Sequence, residues 1–385
     1  MSLQKTCTFL CFCAFPVLNS SAASVDYKWP GLHLKSSRFT ADIKLRAQLR
    51  VTSTDPYDSG FEEAEETTEA NVNRSRIKIG GQFGLPGLDY YSEYDFPSDR
   101  LLDLRFTFTS GNNKRNLRVG QWKVPFNRER IDSSGKQQFI DRSIANKWFT
   151  LDRQRGVSLF GRLAPGSKRD SWYHLAILEG TGRNGKGTAE SPMWLGRWEW
   201  NFLGRDVGFS QSDTKKREQP AGSISVGTSS FHGPYSSFSS AGGGQLPGFE
   251  VGNKDRYKVR QYMLESAYQY AGFSWQQEFH HKDVDDTQRK MTTKIQGGYI
   301  QSGYFPHGHF DWVPSPLEFA LRYATVDPDI DVSGDRQTEI GFVANWFFSG
   351  HNSKLSFDIN RLWDDKSDTG KFKQTVVRLQ WDFHI

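Results

Sequence analysis

One strand-like segment near the start of the chain limits what it can fold into. From Phe39 to Val51 every odd position is apolar, and every even position carries Thr, Asp, Lys, Arg or Gln. Successive side chains of a β-strand point to opposite faces, so this alternation gives one apolar and one charged face. At about 3.3 Å per residue the segment reaches roughly 40 Å, enough to cross a bilayer at a tilt. It therefore predicts a membrane-spanning strand.

The first residues have the form of an export signal. They contain Lys5, an apolar run from Thr8 to Leu18, and the small residues of Ser21 to Ala23. This order is typical of a secretory signal peptide. All three cysteines lie within it, so the mature chain is predicted to have no disulfide. We therefore predict a signal peptide at 1–24 and one β-barrel domain at 25–385.

The composition agrees with a transmembrane barrel. Only 36% of the residues are hydrophobic while 14% are aromatic, and the formal net charge is +5. No later run approaches the roughly 18 to 20 apolar residues that a membrane helix needs. In a barrel only half of each strand meets lipid, and aromatic rings gather at the membrane boundary. A soluble β-sandwich or propeller remains the alternative interpretation.

Strand-like patterns recur along the whole chain, and their number is even, as a closed barrel with both ends on one side requires. Short connections alternate with long ones, which indicates periplasmic turns and external loops. Two connections, 203–219 and 305–315, are longer than periplasmic turns should be. The sixteen predicted strands cover approximately 39–52, 72–85, 88–96, 101–109, 116–124, 155–163, 171–178, 193–202, 220–230, 258–270, 272–282, 292–303, 316–325, 336–348, 354–362 and 372–385.

The end of the chain supports the same interpretation. Apolar residues alternate from Val377 to Ile385, with Phe383 third from the end. A last strand with an apolar face is the pattern that the barrel assembly machinery of the outer membrane recognises. We therefore predict an outer-membrane location, with lipid, lipopolysaccharide and this machinery as partners.

Basic side chains cluster on the predicted inner faces of the first strands. Arginine stays charged and offers a planar fork to phosphate or carboxylate, and rings of Arg and Lys select anions in pores. Alternatively, inward charges hydrate the lumen and pair with nearby acids such as Glu93, Asp95 and Asp103. The basic residues concerned are Lys44, Arg46, Arg50, Arg74, Arg76, Lys78, Arg105 and Arg118.

Several enzyme and metal signals fail in their context. Gly180 to Gly185 matches a dinucleotide fingerprint, but no helix is predicted after it. Asp327 to Asp335 resembles a calcium loop without its glycine and its final glutamate. Two histidine pairs lack a third ligand, and neither HExxH nor GxSxG occurs. We therefore predict no catalytic residue, no metal site, no cofactor and no nucleic-acid partner.

The longest predicted external connection, 125–154, carries short motifs together with its flanks. They are GQ-x-K-x-PF-x-x-E from Gly120 to Glu129, the pair Ser133-Ser134, F-x-D-R-S from Phe139 to Ser143, R-x-x-G from Arg153 to Gly156, and GTGRN from Gly180 to Asn184. LRY, NWFF, FDINR and VVRLQWDF follow in the last third. In this order the motifs resemble the phosphate-selective porin O and P family over nearly the whole mature chain.

This resemblance implies a trimeric barrel of sixteen strands whose third external loop folds inward and narrows the pore. It also implies an arginine ladder and a basic phosphate site. Ser133 and Ser134 match the paired serines of the constriction loop, and Arg130 stands where the family has its binding lysine. Arg74 and Arg76 match basic residues of the second strand, whose adjacent arginine pair is here split by one residue.

The predicted function is passive uptake of phosphate or related small anions through an anion-selective, homotrimeric outer-membrane porin. A general diffusion porin of the same fold stays open as an alternative. So does an outer-membrane scaffold that carries an enzyme or adhesin function. The porin hypothesis predicts substrate contacts from Arg46, Arg50, Arg74, Arg76, Lys78, Arg105, Arg118, Arg130, Ser133 and Ser134.

Overall fold

A computed structural model describes residues 24–56, 66–185, 189–238, 243–365 and 372–385. Two short strands, β1 (Ser24–Tyr27) and β2 (Leu32–Lys35), precede sixteen longer ones. The longer strands are β3 (Thr40–Pro56), β4 (Thr67–Gln82), β5 (Leu88–Asp95), β6 (Arg100–Thr109), β7 (Asn116–Lys123), β8 (Arg153–Leu163), β9 (Ser171–Leu178), β10 (Ser191–Trp200), β11 (Ala221–Gly233), β12 (Tyr257–Tyr270), β13 (Phe273–Asp286), β14 (Met291–Tyr304), β15 (Leu317–Asp327), β16 (Gln337–Phe347), β17 (Ser353–Asp364) and β18 (Phe372–His384). The predicted signal peptide, apart from Ser24, lies outside the described residues.

The sheet closes on itself. Each strand from β3 to β17 pairs antiparallel with the next one, and β18 returns to pair with β3 from Gln374 opposite Pro56 to His384 opposite Arg46. Beyond the end of β18, β2 pairs with the start of β3. Closure gives each of the sixteen long strands a partner on both sides, which is the condition for a sheet to exist without water around it. The prediction of a sixteen-stranded antiparallel barrel is confirmed.

Every predicted segment corresponds to one of the sixteen long strands, and the larger differences lie at predicted external ends. β4 begins at Thr67 rather than near 72, and β13 continues to Asp286 rather than ending near 282. These extensions carry polar residues on both faces. The backbone hydrogen bonds between strands continue in these extensions, but the alternation of apolar and polar residues that indicates a strand ends before them.

Side chains alternate between the two faces as the sequence predicts. In β3 the apolar Leu45, Leu49 and Val51 are 41 to 44% exposed on the outside, while Arg46 and Gln48 are buried inside. Hydrocarbon outside and charge inside is the arrangement of a membrane barrel rather than of a soluble sandwich. Among the residues that the structure describes, no helix is long and apolar enough to cross a membrane.

The buried apolar core lies inside the barrel, around the connection between β7 and β8. This connection, residues 124–152, holds the short helices α1 (Arg128–Ile131) and α2 (Ile144–Phe149). Phe126, Trp148 and Phe149 pack in one buried cluster with inward apolar side chains of β9 to β15. Each large apolar side chain buried in this way contributes about 1.5–3 kcal/mol. The connection is therefore held within the barrel partly by apolar packing.

The long connection between β10 and β11, residues 201–220, also turns inward, from the opposite rim. Gln211 and Asp213 are buried. The Gln211 Oε1 atom accepts a hydrogen bond from the Gln138 backbone N–H at 2.9 Å, and the Ser212 hydroxyl donates to Glu318 at 2.9 Å. The sequence predicts a connection too long for a turn, and the extra length is used to reach the interior.

We predict that Gly120→Ala destabilises the barrel. Gly120 has φ +126°, and an added Cβ atom would lie 2.2 Å from the Leu104 carbonyl oxygen of the neighbouring strand. Because neither the conformation nor the space suits alanine, we expect the free energy of unfolding to fall by more than about 1 kcal/mol.

Thermal unfolding in detergent, followed by circular dichroism, measures this loss. Gly111→Ala is the matched control, because nothing lies within 4 Å of its added Cβ atom. Equal midpoints for the two variants would contradict the prediction.

Candidate functional site

The strand register brings the predicted basic residues together on one wall of the barrel. Between β3 and β4, Lys44 lies opposite Lys78, Arg46 opposite Arg76, and Gln48 opposite Arg74. All of these side chains face the interior, because they share the face opposite the exposed apolar residues. The wall continues through Arg105 of β6 and Arg118 of β7, which line a common interior cavity.

Two of these arginines form forked ion pairs that join segments far apart in the chain. Arg46 donates to the two carboxylate oxygens of Asp382 at 2.9 and 2.8 Å, and to the Ser134 hydroxyl at 2.9 Å. Arg50 donates to both carboxylate oxygens of Asp141 at 3.0 Å. Forked pairs of this kind fix geometry as well as charge. They connect β3 to β18 and to the 124–152 connection.

Two more predicted residues are also neutralised by acids. Arg76 donates to Asp95 at 3.0 Å and to Glu93 at 2.9 Å. Arg130 is buried and donates from its Nε atom to Asp152 at 2.8 Å. Both interactions are largely withdrawn from water, and breaking such a pair leaves a buried charge. The alternative interpretation, in which inward charges pair with neighbouring acids, therefore holds for these arginines.

Four predicted basic residues have no such partner. No carboxylate of the described residues lies within ion-pair distance of Arg74, Lys78, Arg105 or Arg118. Arg74 donates to the Gln48 amide oxygen at 2.6 Å, which is a neutral acceptor. These four side chains are half-buried, so they keep contact with the water in the lumen. None of the four charges is cancelled by a direct ion pair, although Glu93 lies opposite Lys78 on β5.

The paired serines lie at the part of the connection nearest to β3, and they have different environments. Ser134 is buried, and its hydroxyl accepts from Arg46. Ser133 is half-buried, and its hydroxyl accepts from the Gly135 backbone N–H at 3.4 Å. At Gly135 an added Cβ atom would lie 2.8 Å from the Arg46 guanidinium carbon. Glycine therefore permits this close approach of the backbone to Arg46.

Backbone N–H groups of the 124–152 connection are held by acids from the far wall. Three of the four donors lie in the first turns of its two short helices, where N–H groups have no partner within the helix, and the fourth lies between the helices. Charge-assisted bonds of this type are stronger than neutral ones. The pairs are Arg128 N–H to Glu265 at 2.9 Å, Glu129 N–H to Glu278 at 2.5 Å, Ile140 N–H to Asp358 at 3.1 Å, and Ile144 N–H to Glu339 at 2.8 Å.

Backbone carbonyl groups of the same connection are held mainly by cationic side chains. Lys282, Lys354 and Arg322 are buried and point inward from β13, β17 and β15. The contacts are Lys282 to the Trp148 carbonyl at 3.1 Å, Lys354 to the Gln137 carbonyl at 2.5 Å, Arg322 to the Asp141 carbonyl at 2.9 Å, and Asn345 to the Gln138 carbonyl at 3.1 Å. A segment without regular ladder bonds thereby obtains backbone partners.

These anchoring residues are functional residues that the sequence interpretation does not include. A signal for them exists, because most strands from β12 to β17 carry at least one inward acid, among them Glu265, Glu278, Glu318, Glu339 and Asp358. A repeated inward acid opposite a basic wall indicates that a segment lies between them.

Hydrogen bonds of the connection leave one side of the barrel uncovered. They reach β3 and the strands from β12 to β18, while among the described residues none reaches β4, β5 or β6. A cavity of about 650 Å³ borders β3 to β9 on this side. Of the four basic residues without a direct ion pair, Arg105 and Arg118 line this cavity, and Arg74 and Lys78 precede its border residues on β4.

Two acids of the connection have shifted pKa values. Burial alone would raise the pKa of Asp141, but Arg378, Arg50 and Arg74 hold it below its ordinary range. Burial raises the pKa of Glu129 to about 7, against the opposing effect of Arg322. Asp141 therefore stays ionised near neutral pH, whereas Glu129 titrates there.

A closed barrel with an apolar exterior, a charged interior and a connection held across its lumen is the structure of a porin. This class of protein forms channels through the outer membrane. The sequence model of the family described as phosphate-selective porin O and P matches residues 43–384. The chain belongs to this family, as its motifs suggest.

The chain is also similar to one curated protein of unknown role. An uncharacterized protein of Aquifex aeolicus (strain VF5) is 25% identical in an alignment of 297 residues that covers 70% of this chain and 64% of that protein. The chain thus aligns to less than two thirds of that relative's length.

Several solved porins share the fold at low sequence identity. The anion-selective porin from Comamonas acidovorans is 12% identical with a TM-score of 0.62, covering 90% of this chain and all of that one. OprB of Pseudomonas putida is 10% identical with a TM-score of 0.57, covering 90% and 94%. DcaP, an outer-membrane channel of Acinetobacter baumannii, is 11% identical with a TM-score of 0.55, covering 90% and 97%.

We predict that Asp141→Asn increases the preference of the channel for anions. The substitution removes the negative charge that neutralises Arg50 and contacts Arg378, so two guanidinium groups lose their shared counter-charge. In a potassium chloride gradient across a planar bilayer, the reversal potential should shift toward the chloride value. Asp26→Asn, which changes an exposed residue of β1, is the control and should leave the reversal potential unchanged.

We also predict a pH-dependent stability of the connection that depends on Glu129. A carboxyl whose folded pKa is raised stabilises the fold below its unfolded pKa of about 4.5, and this contribution is lost as the pH rises through about 7. The thermal midpoint should therefore fall between pH 5.5 and 8.5 in the native protein. Glu129→Gln should show a smaller fall, and an unchanged fall would disprove the assignment.

Proposed function

We propose that this protein is an anion-selective channel that lets phosphate or related small oxyanions enter through the outer membrane down their gradient. The observation that carries the proposal is the set of unpaired basic residues on the open side of the lumen: Arg74, Lys78, Arg105 and Arg118. Positive charge that is not held in a direct ion pair, within low-dielectric walls, concentrates anions and repels cations. The channel fold and the family support a transport function.

The proposed mechanism is an exchange of hydration for successive contacts. Arg74, Arg76 and Lys78 alternate along β4, so neighbouring inward side chains lie about 6.7 Å apart. Arg105 and Arg118 continue the series on β6 and β7. An anion that loses water at one position can then gain contacts at the next, with binding strong enough to enter and weak enough to leave.

We propose that the 124–152 connection is the constriction loop. Its hydrogen bonds to β3 and to β12 through β18 support this role, because a segment held on that side narrows the passage along β4 to β7. Ser133 offers a hydroxyl at the edge of this passage. Arg46, Arg50, Arg76 and Arg130 are paired with acids, so their proposed contribution is hydrogen bonding and orientation rather than net charge.

The remaining proposals rest on the sequence of the chain ends and on the family. They are export through a signal peptide at 1–24, insertion by the barrel assembly machinery, a membrane surface of lipopolysaccharide, and a homotrimer. A general diffusion porin is the second candidate. It is favoured by the neutralisation of four of the predicted arginines, which lowers the fixed charge of the lumen.

Replacing Arg74 and Lys78 together by glutamine tests the proposal. A unit charge about 4 Å away contributes about 1 kcal/mol in a water-like medium, so the chloride-to-potassium permeability ratio should fall by roughly an order of magnitude. The reversal potential in a salt gradient measures this ratio. Added phosphate should reduce the chloride current of the native channel and affect the variant less.

The matched control replaces Lys258 and Lys294, which are exposed on the outer face, by glutamine and should leave the ratio unchanged. A native channel that prefers potassium would refute anion selectivity. A chloride preference that survives the Arg74 and Lys78 changes and ignores phosphate would support the general diffusion porin instead.

A further inference from the structure

A large cavity lies in the lumen beyond the basic residues of β4, toward the rim that carries the chain ends. Its volume is about 650 Å³. On β4 it is bordered by Gly80 and Gln82, which follow Lys78 on the same inward face. The cavity is therefore a separate space on the periplasmic side of the proposed constriction.

The guanidinium groups of two arginines in this cavity pack against aromatic rings. The Arg105 guanidinium carbon lies 4.7 Å from the centre of the Tyr91 ring, and that of Arg118 lies 4.6 Å from the centre of the Phe160 ring. Cation–π contacts of this kind fix a guanidinium group without neutralising it. The Arg118 Nε atom donates to the Thr107 hydroxyl at 3.3 Å, and the terminal N–H groups of both arginines remain available for an oxyanion.

The supporting rings are themselves fixed. The Tyr91 hydroxyl donates to Glu93 at 2.9 Å, and Phe160 stacks on His174 with ring centres 5.4 Å apart and planes 6° apart. Gly80 leaves room for the Tyr91 ring, since an added Cβ atom would lie 3.1 Å from a ring carbon. The positions of both guanidinium groups are thus fixed by aromatic rings that are themselves held by packing and hydrogen bonding.

The two arginines repel one another and share no acid. Arg105 lies opposite Gly120, and Arg118 opposite Thr107, so the two are diagonal neighbours across β6 and β7 at about 7–8 Å. Their charges interact unfavourably, and Asp103 offsets part of this repulsion at Arg118 from beyond ion-pair distance. No carboxylate of the described residues lies within ion-pair distance of either group. An anion bound between two fixed positive charges would relieve their repulsion and accept hydrogen bonds from both.

The size and lining of the cavity favour an anion with an organic body. Binding pockets for organic ligands range from about 300 to 1,000 Å³ and combine apolar walls with a few placed polar groups. Trp172 supplies an aromatic wall here, and Asn116 supplies an amide. Inorganic phosphate would leave most of this volume to water. At the rim, Asp42 and Asp89 add negative charge that opposes long retention of an anion.

We propose that this cavity is an exit-side binding site for phosphate monoesters. Arg105 and Arg118 hold the phosphoryl oxygens, while the organic group lies in the cavity toward Trp172. The inference rests on the proposed anion-selective function and extends it to a second site with a larger substrate. Entry would occur from the constriction, and the rim acids favour release toward the periplasm.

Isothermal titration calorimetry of the purified full chain in detergent tests the site, with phenyl phosphate and inorganic phosphate as probes. We expect phenyl phosphate to bind about tenfold more tightly than inorganic phosphate. Arg105→Gln and Arg118→Gln should each weaken phenyl phosphate binding about tenfold, as loss of a charge-assisted hydrogen bond implies. Tyr91→Phe keeps the ring and should bind better than Tyr91→Ala.

Lys114→Gln is the matched control, because it removes an exposed positive charge on the nearby turn and should leave binding unchanged. Circular dichroism confirms that each variant is folded. Equal affinity for the two probes, or full affinity in the Arg105 and Arg118 variants, would overturn the proposal.

The reversal potential of the same native protein separates the two proposals. A channel that prefers chloride, without preferential binding of phenyl phosphate, would refute the exit site and keep the proposed function. A channel that prefers potassium would refute the proposed function whatever calorimetry shows.

Discussion

Closure of the backbone hydrogen-bond ladder is the constraint on which the rest of this structure depends. A membrane offers no water to unpaired N–H and C=O groups, so a sheet can cross it only as a cylinder without edges. The pairing of β18 with β3 and the addition of β2 beside it satisfy this condition. Once the cylinder closes, the period of two sends alternate side chains to lipid and to the interior. Charge in the lumen is a consequence of that geometry.

The interior uses its charges in two ways. On the far wall, acids and cations bind backbone groups of the 124–152 connection, which carries few ladder bonds of its own. On the near wall, Arg46, Arg50 and Arg76 pair with acids, whereas Arg74, Lys78, Arg105 and Arg118 do not. The same residue types therefore build the support of the connection and the free charge beside it. Burial and the available partner decide which role each one has.

Much of the fold could be predicted from the sequence, because period-two alternation is local. It indicates all sixteen strands and the inward direction of Arg46, Arg74 and Arg76. The partners of these residues could not be predicted, because they depend on register between segments far apart in the chain. Arg46 and Asp382, for example, are 336 positions apart. The family motifs locate Ser134 and Arg130, but only the structure shows that Arg46 binds the first and Asp152 the second.

The division between paired and unpaired charges has a consequence for ionic strength. Mobile ions screen exposed charges over about 8–10 Å in dilute and physiological salt, but they reach buried ion pairs far less. The forked pair of Arg46 and Asp382 is almost fully buried, whereas Arg74 and Lys78 face water. Concentrated brine would therefore weaken the attraction of this pore for anions while its internal architecture stayed in place. Discrimination between ions and the shape of the passage respond separately to the medium in which the bacterium lives.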